Sequence, residues 1–205
     1  MRQMVIRITD KSEDAQLLYK RGGKELWKTI TLNRLSELIS NAVMQHQSGE
    51  KPQMLDKRII AIGNGSMIFH TPETKRLVFY KSKSFEINYP PCIYRVAYTG
   101  DRIRDIWCYT FFRYAGADTE LFCMPMPNMT GSDHMCIGTA DRNIIDGNVI
   151  EAVGRIVDAE YTHDHVDNLK EQTSTLKWFR YLKNHKVKRS DLKKSVGRLR
   201  DYVKT

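Results

Sequence analysis

Apolar runs of strand length, separated by polar and glycine breaks, occupy the first 30 positions, and Val5–Ile8 carries the alternation of a strand with one face buried. Val5-Ile6-Arg7-Ile8, Ala15–Tyr19 and Leu26–Ile30 read as short strands, and Arg21-Gly22-Gly23-Lys24 reads as the hairpin turn between the last two. From Thr31 the period changes. Leu32, Leu35, Leu38, Ile39, Ala42 and Val43 fall on one helical face, with Thr31 placed to cap it and Ser48-Gly49-Glu50-Lys51-Pro52 to end it.

Strand and turn signals follow in quick succession. Arg58–Ile62 and Ser66–Phe69 flank Gly63-Asn64-Gly65, a hairpin signature. A turn carrying Pro72 precedes a strand at Arg76–Tyr80, and Tyr89-Pro90-Pro91 breaks the chain before a strand at Ile93–Tyr98. Thr99-Gly100-Asp101 turns into an aromatic strand, Ile103–Phe112, and Glu120–Cys123 is a last short strand. Sequential strands joined by tight turns predict an antiparallel meander.

The pattern then returns to the helical period. Val149, Ala152, Val153, Ile156, Val157 and Tyr161 share one face after Asp146-Gly147-Asn148. Asn168–Lys183 is a second expected helix, and Ser190 is placed to cap a third with Leu192, Val196, Leu199 and Val203 as its stripe. The expected class is α+β, an antiparallel meander sheet with an N-terminal helix and C-terminal helices. The expected division is a domain over residues 1–185 and a basic helix over 186–205.

Charge sharpens that division. The formal excess of +9 lies entirely beyond residue 176: residues 177–205 hold 11 Lys and Arg against Asp191 and Asp201 alone. A neutral body with a basic arm suits electrostatic docking. Lys183, Lys186, Lys188, Arg189, Lys193, Lys194, Arg198 and Arg200 would meet DNA, RNA or an acidic partner protein. Cys92, Cys108, Cys123 and Cys136 lie 16, 15 and 13 residues apart, which matches neither a zinc framework nor a dense disulfide scaffold. The N-terminus lacks the apolar core of a signal peptide, and no stretch has the run of about 20 apolar residues that a membrane span requires. A reducing cytoplasm is the expected compartment.

The candidate chemistry is concentrated in one segment, Met124-Pro-Met-Pro-Asn-Met-Thr-Gly-Ser-Asp-His-Met-Cys-Ile-Gly-Thr139. A lone cysteine is more often a small core hydrophobe than a nucleophile. Cys136 differs because it lies among Pro, Asn, Gly, Ser and Asp, where a thiol is presented to solvent and its thiolate can attack a carbonyl. Asn128, eight residues earlier, offers an amide donor for the oxyanion of such an attack. Asp133, His134 and Asp141 flank the thiol as candidate supporting groups. His134 lies two residues from Cys136, a spacing more typical of a loop residue than of a catalytic base supplied from elsewhere in the fold. His163-Asp-His165 has metal-binding spacing without an accompanying ligand set, and Gly63-Asn64-Gly65 lacks the Lys-Ser/Thr of a phosphate loop. The aromatic strand reads as core rather than as a base-stacking platform.

The Pro-Asn-to-Cys spacing and the order of elements resemble the ubiquitin-conjugating enzyme superfamily, in which the catalytic cysteine follows a His-Pro-Asn turn by eight residues. More closely, the chain resembles prokaryotic relatives of the PRTRC system protein B group. The match runs roughly from Arg58 to Asp158: the strands around Ile59–Tyr80, Pro90-Pro91 before a strand, the aromatic strand, and Pro-x-Pro-Asn closing on Cys-Ile-Gly-Thr. The resemblance implies a ubiquitin-conjugating-enzyme-like fold and transthiolation. Cys136 would accept a ubiquitin-like protein from a ThiF-like activating enzyme as a thioester and pass it to an amine on a target protein, with Asn128 orienting the loop or steadying the oxyanion. It implies no metal and no organic cofactor, and a bacterial operon setting linked to phage defence or plasmid maintenance. Met126 stands where the family carries its His, and the Trp and Pro residues that follow the cysteine in eukaryotic members are missing here. Two other classes remain open at this point. One is a non-catalytic adaptor or nucleic-acid-binding module using the basic arm; the other is a cysteine-dependent hydrolase.

Overall fold

A computed structural model describes residues 5–8, 14–21, 24–37, 55–130 and 133–203. The chain forms two compact units, Met1–Met54 and Leu55–Thr205.

In the first unit, β1 (Val5–Ile8), β2 (Asp14–Arg21) and β3 (Lys24–Thr31) form an antiparallel three-stranded meander in the order of the chain. This is the arrangement that the alternation predicts. A helical segment, α1 (residues 32–37), begins where the period changes, and Thr31 Oγ1 accepts the Arg34 amide at 3.3 Å as its cap. The remaining expected positions of that helix, Leu38, Ile39, Ala42 and Val43, lie outside the described residues.

The second unit is built on an antiparallel sheet. Its strands are β4 (Ile59–Gly63), β5 (Ser66–Thr71), β8 (Cys92–Thr99), β9 (Arg102–Thr110), β10 (Glu120–Cys123), β11 (Met129–Thr130) and β12 (His134–Met135). The order is β11-β12-β9-β8-β5-β4, and β10 shares the outer edge of β9 with β12. The sheet is therefore not a simple meander. The hairpin of β6 (Thr74–Tyr80) and β7 (Lys83–Tyr89) leaves it, and β5 pairs directly with β8. Strand β7 is absent from the sequence reading because its turn, Lys81-Ser82, has no Asn-Gly signature; both residues adopt positive φ, at 48° and 58°.

Register assigns the sheet two faces. Phe69, Tyr94 and Cys108 sit side by side on one, with Val96 and Ile106 beside them, and this face packs under the β6–β7 hairpin, α2 (Val149–Val157) and α3 (Thr175–Asn184). Helix α2 follows its sequence pattern: Asn148 Oδ1 caps the Glu151 amide at 3.1 Å and Val149, Ala152, Val153, Ile156 and Val157 are buried. Helix α3 is shorter than expected. Residues 168–172 turn between β13 (His165–Val166) and β14 (Thr173–Ser174), and Ser174 caps the helix that follows.

The other face, carrying Ile68, Ile93, Tyr109 and Phe111, is covered by the C-terminal segment through Leu199, with Val196, Tyr202 and Val203 against it. That segment is not a helix. It forms a 3-10 turn at Arg189–Asp191, a short strand β15 (Gly197–Arg198) paired with β10, and a second 3-10 turn at Leu199–Tyr202. The apolar stripe is real, but the backbone finds partners outside the segment: the Val196, Leu199 and Arg200 amides donate to the carbonyls of Leu121, Thr119 and Ala117 at 2.9, 3.0 and 2.9 Å. Gly197, at φ +133°, makes the bend that a helix would forbid to other residues. Nor does the segment project as a free basic arm. Lys186 pairs with Glu73, Arg189 with Glu120, and Arg198 and Arg200 with Asp118, at 2.6 to 3.2 Å.

Candidate active site

The Pro-Asn-to-Cys segment folds as a tight hairpin on the edge of the sheet. Met129 pairs with Met135 and Thr130 with His134, and the Cys136 amide donates to the Asn128 carbonyl at 2.6 Å. Asn128 and Cys136 are thus the next rung of the same ladder, facing each other at the hairpin's base. The eight-residue interval is the register of that ladder. The thiol is therefore carried by a strand end anchored to β9, not by an unattached loop: His134 pairs with Trp107, and the Cys108 amide donates to the Asp133 carbonyl at 2.8 Å.

Burial along this strand alternates as a half-buried edge should. Met135 and Ile137 enter the core, while His134 and Cys136 are half-exposed on the other side. Of the four cysteines, Cys92, Cys108 and Cys123 are buried and only Cys136 reaches solvent. Burial pushes the Cys108 thiol well up, so that it is kept protonated and inert.

Asn128 adopts a left-handed conformation at φ 63°, one that asparagine tolerates better than most residues. Its side-chain oxygen accepts the Thr162 and His163 amides at 3.0 and 3.1 Å. The carboxamide is thereby tied to the segment that follows α2. With Oδ1 committed, Nδ2 is the end left to donate; among the described residues it has no hydrogen-bond partner. The approach to Asn128 is held as firmly. Trp178 Nε1 donates to the Pro125 carbonyl at 2.7 Å, Asn168 Nδ2 donates to the Met124 carbonyl at 3.0 Å, and Met126 is buried in the core. Apolar burial fixes the position at which the resembling family carries a histidine.

The three candidate supporting groups are spread apart. Asp133 accepts the Tyr109 hydroxyl at 2.6 Å, and burial together with this carboxylate pushes the Tyr109 phenol up, so it stays a donor. Asp141 caps its own turn through the Asn143 amide at 3.0 Å and lies 3.7 Å from Arg155. His134 alone is on the exposed side of the strand with Cys136, its Nε2 3.0 Å from Asp105 Oδ1 and its ring edge-on to Trp107. Sequence reasoning missed Asp105, Asn168, Trp178 and the Thr162–His163 backbone. Asp105 has a signal in retrospect, standing two residues before Trp107 on the same face of an alternating strand; the others have none, because the fold brings them from far along the chain.

Among the described residues, no group of three His, Cys, Asp or Glu that could hold an ion includes His163 or His165. Two large clefts, of about 510 and 560 Å³, meet at Lys170 and Ser190 beside the C-terminal segment, and Cys136 lines neither. No helix among the described residues is long and apolar enough to cross a membrane.

Neither the curated proteins nor the solved structures contain a match to this sequence. Among protein families, residues 34–188, well over half of the chain, match prokaryotic E2 family D. That span takes in the sheet, the Asn128–Cys136 hairpin and both helices that pack behind it. The chain belongs to prokaryotic E2 family D, a conjugation-related family whose partners are, in general, ubiquitin-like proteins and their activating enzymes.

Proposed function

We propose that the protein is a conjugating transferase of a bacterial ubiquitin-like system, with Cys136 as the acceptor thiol. The Cys136 thiolate attacks the thioester joining the ubiquitin-like protein to a ThiF-like activating enzyme. A new C–S bond forms and the activating enzyme's thiolate leaves. An amine of the target then attacks the same carbonyl carbon, an amide forms, the Cys136 thiolate departs, and the amine gives up its proton. Neither step needs a metal or an organic cofactor. The fixed Asn128 carboxamide offers Nδ2 as the donor to the oxyanion in both steps, a contribution of about 3 kcal/mol where such donors have been removed from other enzymes. A phage-defence or plasmid-maintenance operon is the proposed setting.

The observation that carries this reading is the facing of Asn128 and Cys136 across one rung, with Cys136 the single solvent-reaching thiol. A thiol on an open edge, outside the large clefts, suits a protein-borne thioester better than a small substrate. The test is loading. Mixed with ATP, its activating enzyme and its ubiquitin-like partner, the protein should form an adduct that disappears with reductant. Cys136→Ala should abolish it, and undiminished loading of that variant would overturn the proposal.

A further inference from the structure

We propose that His134, oriented by Asp105, accepts the proton of the incoming amine when the Cys136 thioester is discharged. The inference rests on the reading of Cys136 as the thioester-forming thiol, and it adds the group that makes the nucleophile competent.

An amine is protonated and non-nucleophilic near neutral pH, so aminolysis needs a proton acceptor beside the carbonyl carbon. His134 Nε2 lies 3.0 Å from Asp105 Oδ1. A carboxylate only accepts hydrogen bonds, so Nε2 carries the hydrogen and Nδ1 is left with the lone pair. The ring is held edge-on to Trp107 with centroids 5.7 Å apart. Thr130 Oγ1 is 3.2 Å from Nδ1, but it is also 3.3 Å from the His134 carbonyl oxygen. Turning the exposed Thr130 side chain to another staggered rotamer carries the hydroxyl away and opens Nδ1 to the amine. The other charged groups near the ring are Arg95 and Asp133, and Arg95 Nε is buried without a hydrogen-bond partner among the described residues. Arg95 stacks on the far partner, Trp107, 4.0 Å from its centroid, and Asp133 accepts from Tyr109.

Cys136 directly follows β12, two residues after His134, and both are half-exposed while Met135 is buried, so with extended spacing their side chains stand about 7 Å apart at their bases. That interval leaves room for the carbonyl carbon on sulfur and the attacking nitrogen between them. The proton passes from the amine nitrogen to His134 Nδ1 as the C–N bond forms and the C–S bond breaks. Asp105 acts as a positioning residue, through the tautomer and orientation of the imidazole.

The test separates loading from discharge. The wild-type protein is loaded, the activating enzyme is stopped by chelating magnesium, and the thioester is chased with free lysine or with hydroxylamine over roughly pH 6 to 9. Hydroxylamine is uncharged at neutral pH, so no proton has to be removed before it attacks, and the proton it sheds afterwards goes to solvent. For His134→Gln, discharge to lysine should fall roughly a hundredfold and lose the imidazole inflection of the wild-type profile, while discharge to hydroxylamine and the rate of loading stay unchanged. Asp105→Asn should slow lysine discharge roughly tenfold and displace the inflection. Wild-type lysine discharge in His134→Gln, or equal losses with lysine and hydroxylamine, would overturn the inference. A wild-type protein that never loads would instead refute the reading of Cys136.

Discussion

The carbonyl oxygen of Asn128 accepts the amide of Cys136 at 2.6 Å, across the base of the hairpin formed by β11 and β12. This one hydrogen bond turns a sequence interval into a distance. Moving the cysteine by one position would reverse the alternation that leaves Cys136 half-exposed and sends Met135 and Ile137 into the core.

The two ends of the Asn128 carboxamide have separable roles. Asn128→Ala removes the acceptor of the Thr162 and His163 amides and should cost about 1 kcal/mol in urea unfolding. Asn128→Asp keeps an acceptor oxygen for those amides but no donor. It should retain most of that stability while transferring to amines at least roughly tenfold more slowly, in single-turnover discharge.

Selective thiol chemistry follows from burial. Iodoacetamide added to the folded protein should modify Cys136 first, as read by peptide mass mapping, with Cys92, Cys108 and Cys123 reacting only after denaturation. Early labelling of Cys108 would contradict the packing of the first face.

Met126 is an apolar anchor, 1% exposed, just before Pro127 and Asn128. Met126→His, the residue type found at this place in the resembling superfamily, should destabilise the protein by about 2 kcal/mol, because its imidazole would enter an apolar cluster. Denaturant titration of the variant measures it.

The segment that receives Asn128 has its own pH dependence. Asp164 accepts from Lys81, 2.8 Å away, and from the Tyr80 hydroxyl, and these contacts, Lys81 first, hold its carboxyl below the usual carboxylate range. A folded carboxyl with a lowered pKa stabilises the fold above its unfolded value, near 4, and that contribution is lost as pH falls through the folded value. Thermal unfolding followed from neutral pH down through that window should show a decline in melting temperature that Asp164→Asn lessens.

Much of this was legible from periodicity, and the failures have physical causes. β1 to β3 and α2 lie where alternation and the helical stripe place them, and α2 buries the one face that its stripe marks. The C-terminal stripe of Leu192, Val196, Leu199 and Val203 carries the same helical period. There, Gly197 and backbone partners on β10 and the preceding loop draw the chain into a strand and 3-10 turns. Tertiary hydrogen bonding outweighed local pattern. β7 carries the alternation of Phe85, Ile87 and Tyr89, but its turn at Lys81-Ser82 lacks the Gly or Asn that marks a hairpin in sequence.

The candidate site divides in the same way. Asn128 and Cys136 were legible because their interval lies within one hairpin. Trp178 and Asn168, which hold the approach to Asn128 by binding the Pro125 and Met124 carbonyls 53 and 44 residues before them, carry no local mark. His134 lies only two residues from the thiol, a spacing that by itself suggests a loop position; strand alternation and Asp105, 29 residues upstream, bring it to the exposed side in a defined orientation.

The most direct measurement is the site of attachment after loading of Cys136→Ser with ATP, activating enzyme and ubiquitin-like protein. A serine in place of the acceptor thiol would trap the adduct as an oxyester, stable to reductant and cleaved by mild base. Tandem mass spectrometry should find the modified C-terminal carboxyl of the ubiquitin-like protein on residue 136. Attachment at another residue, or a reductant-sensitive adduct persisting in this variant, would contradict the account.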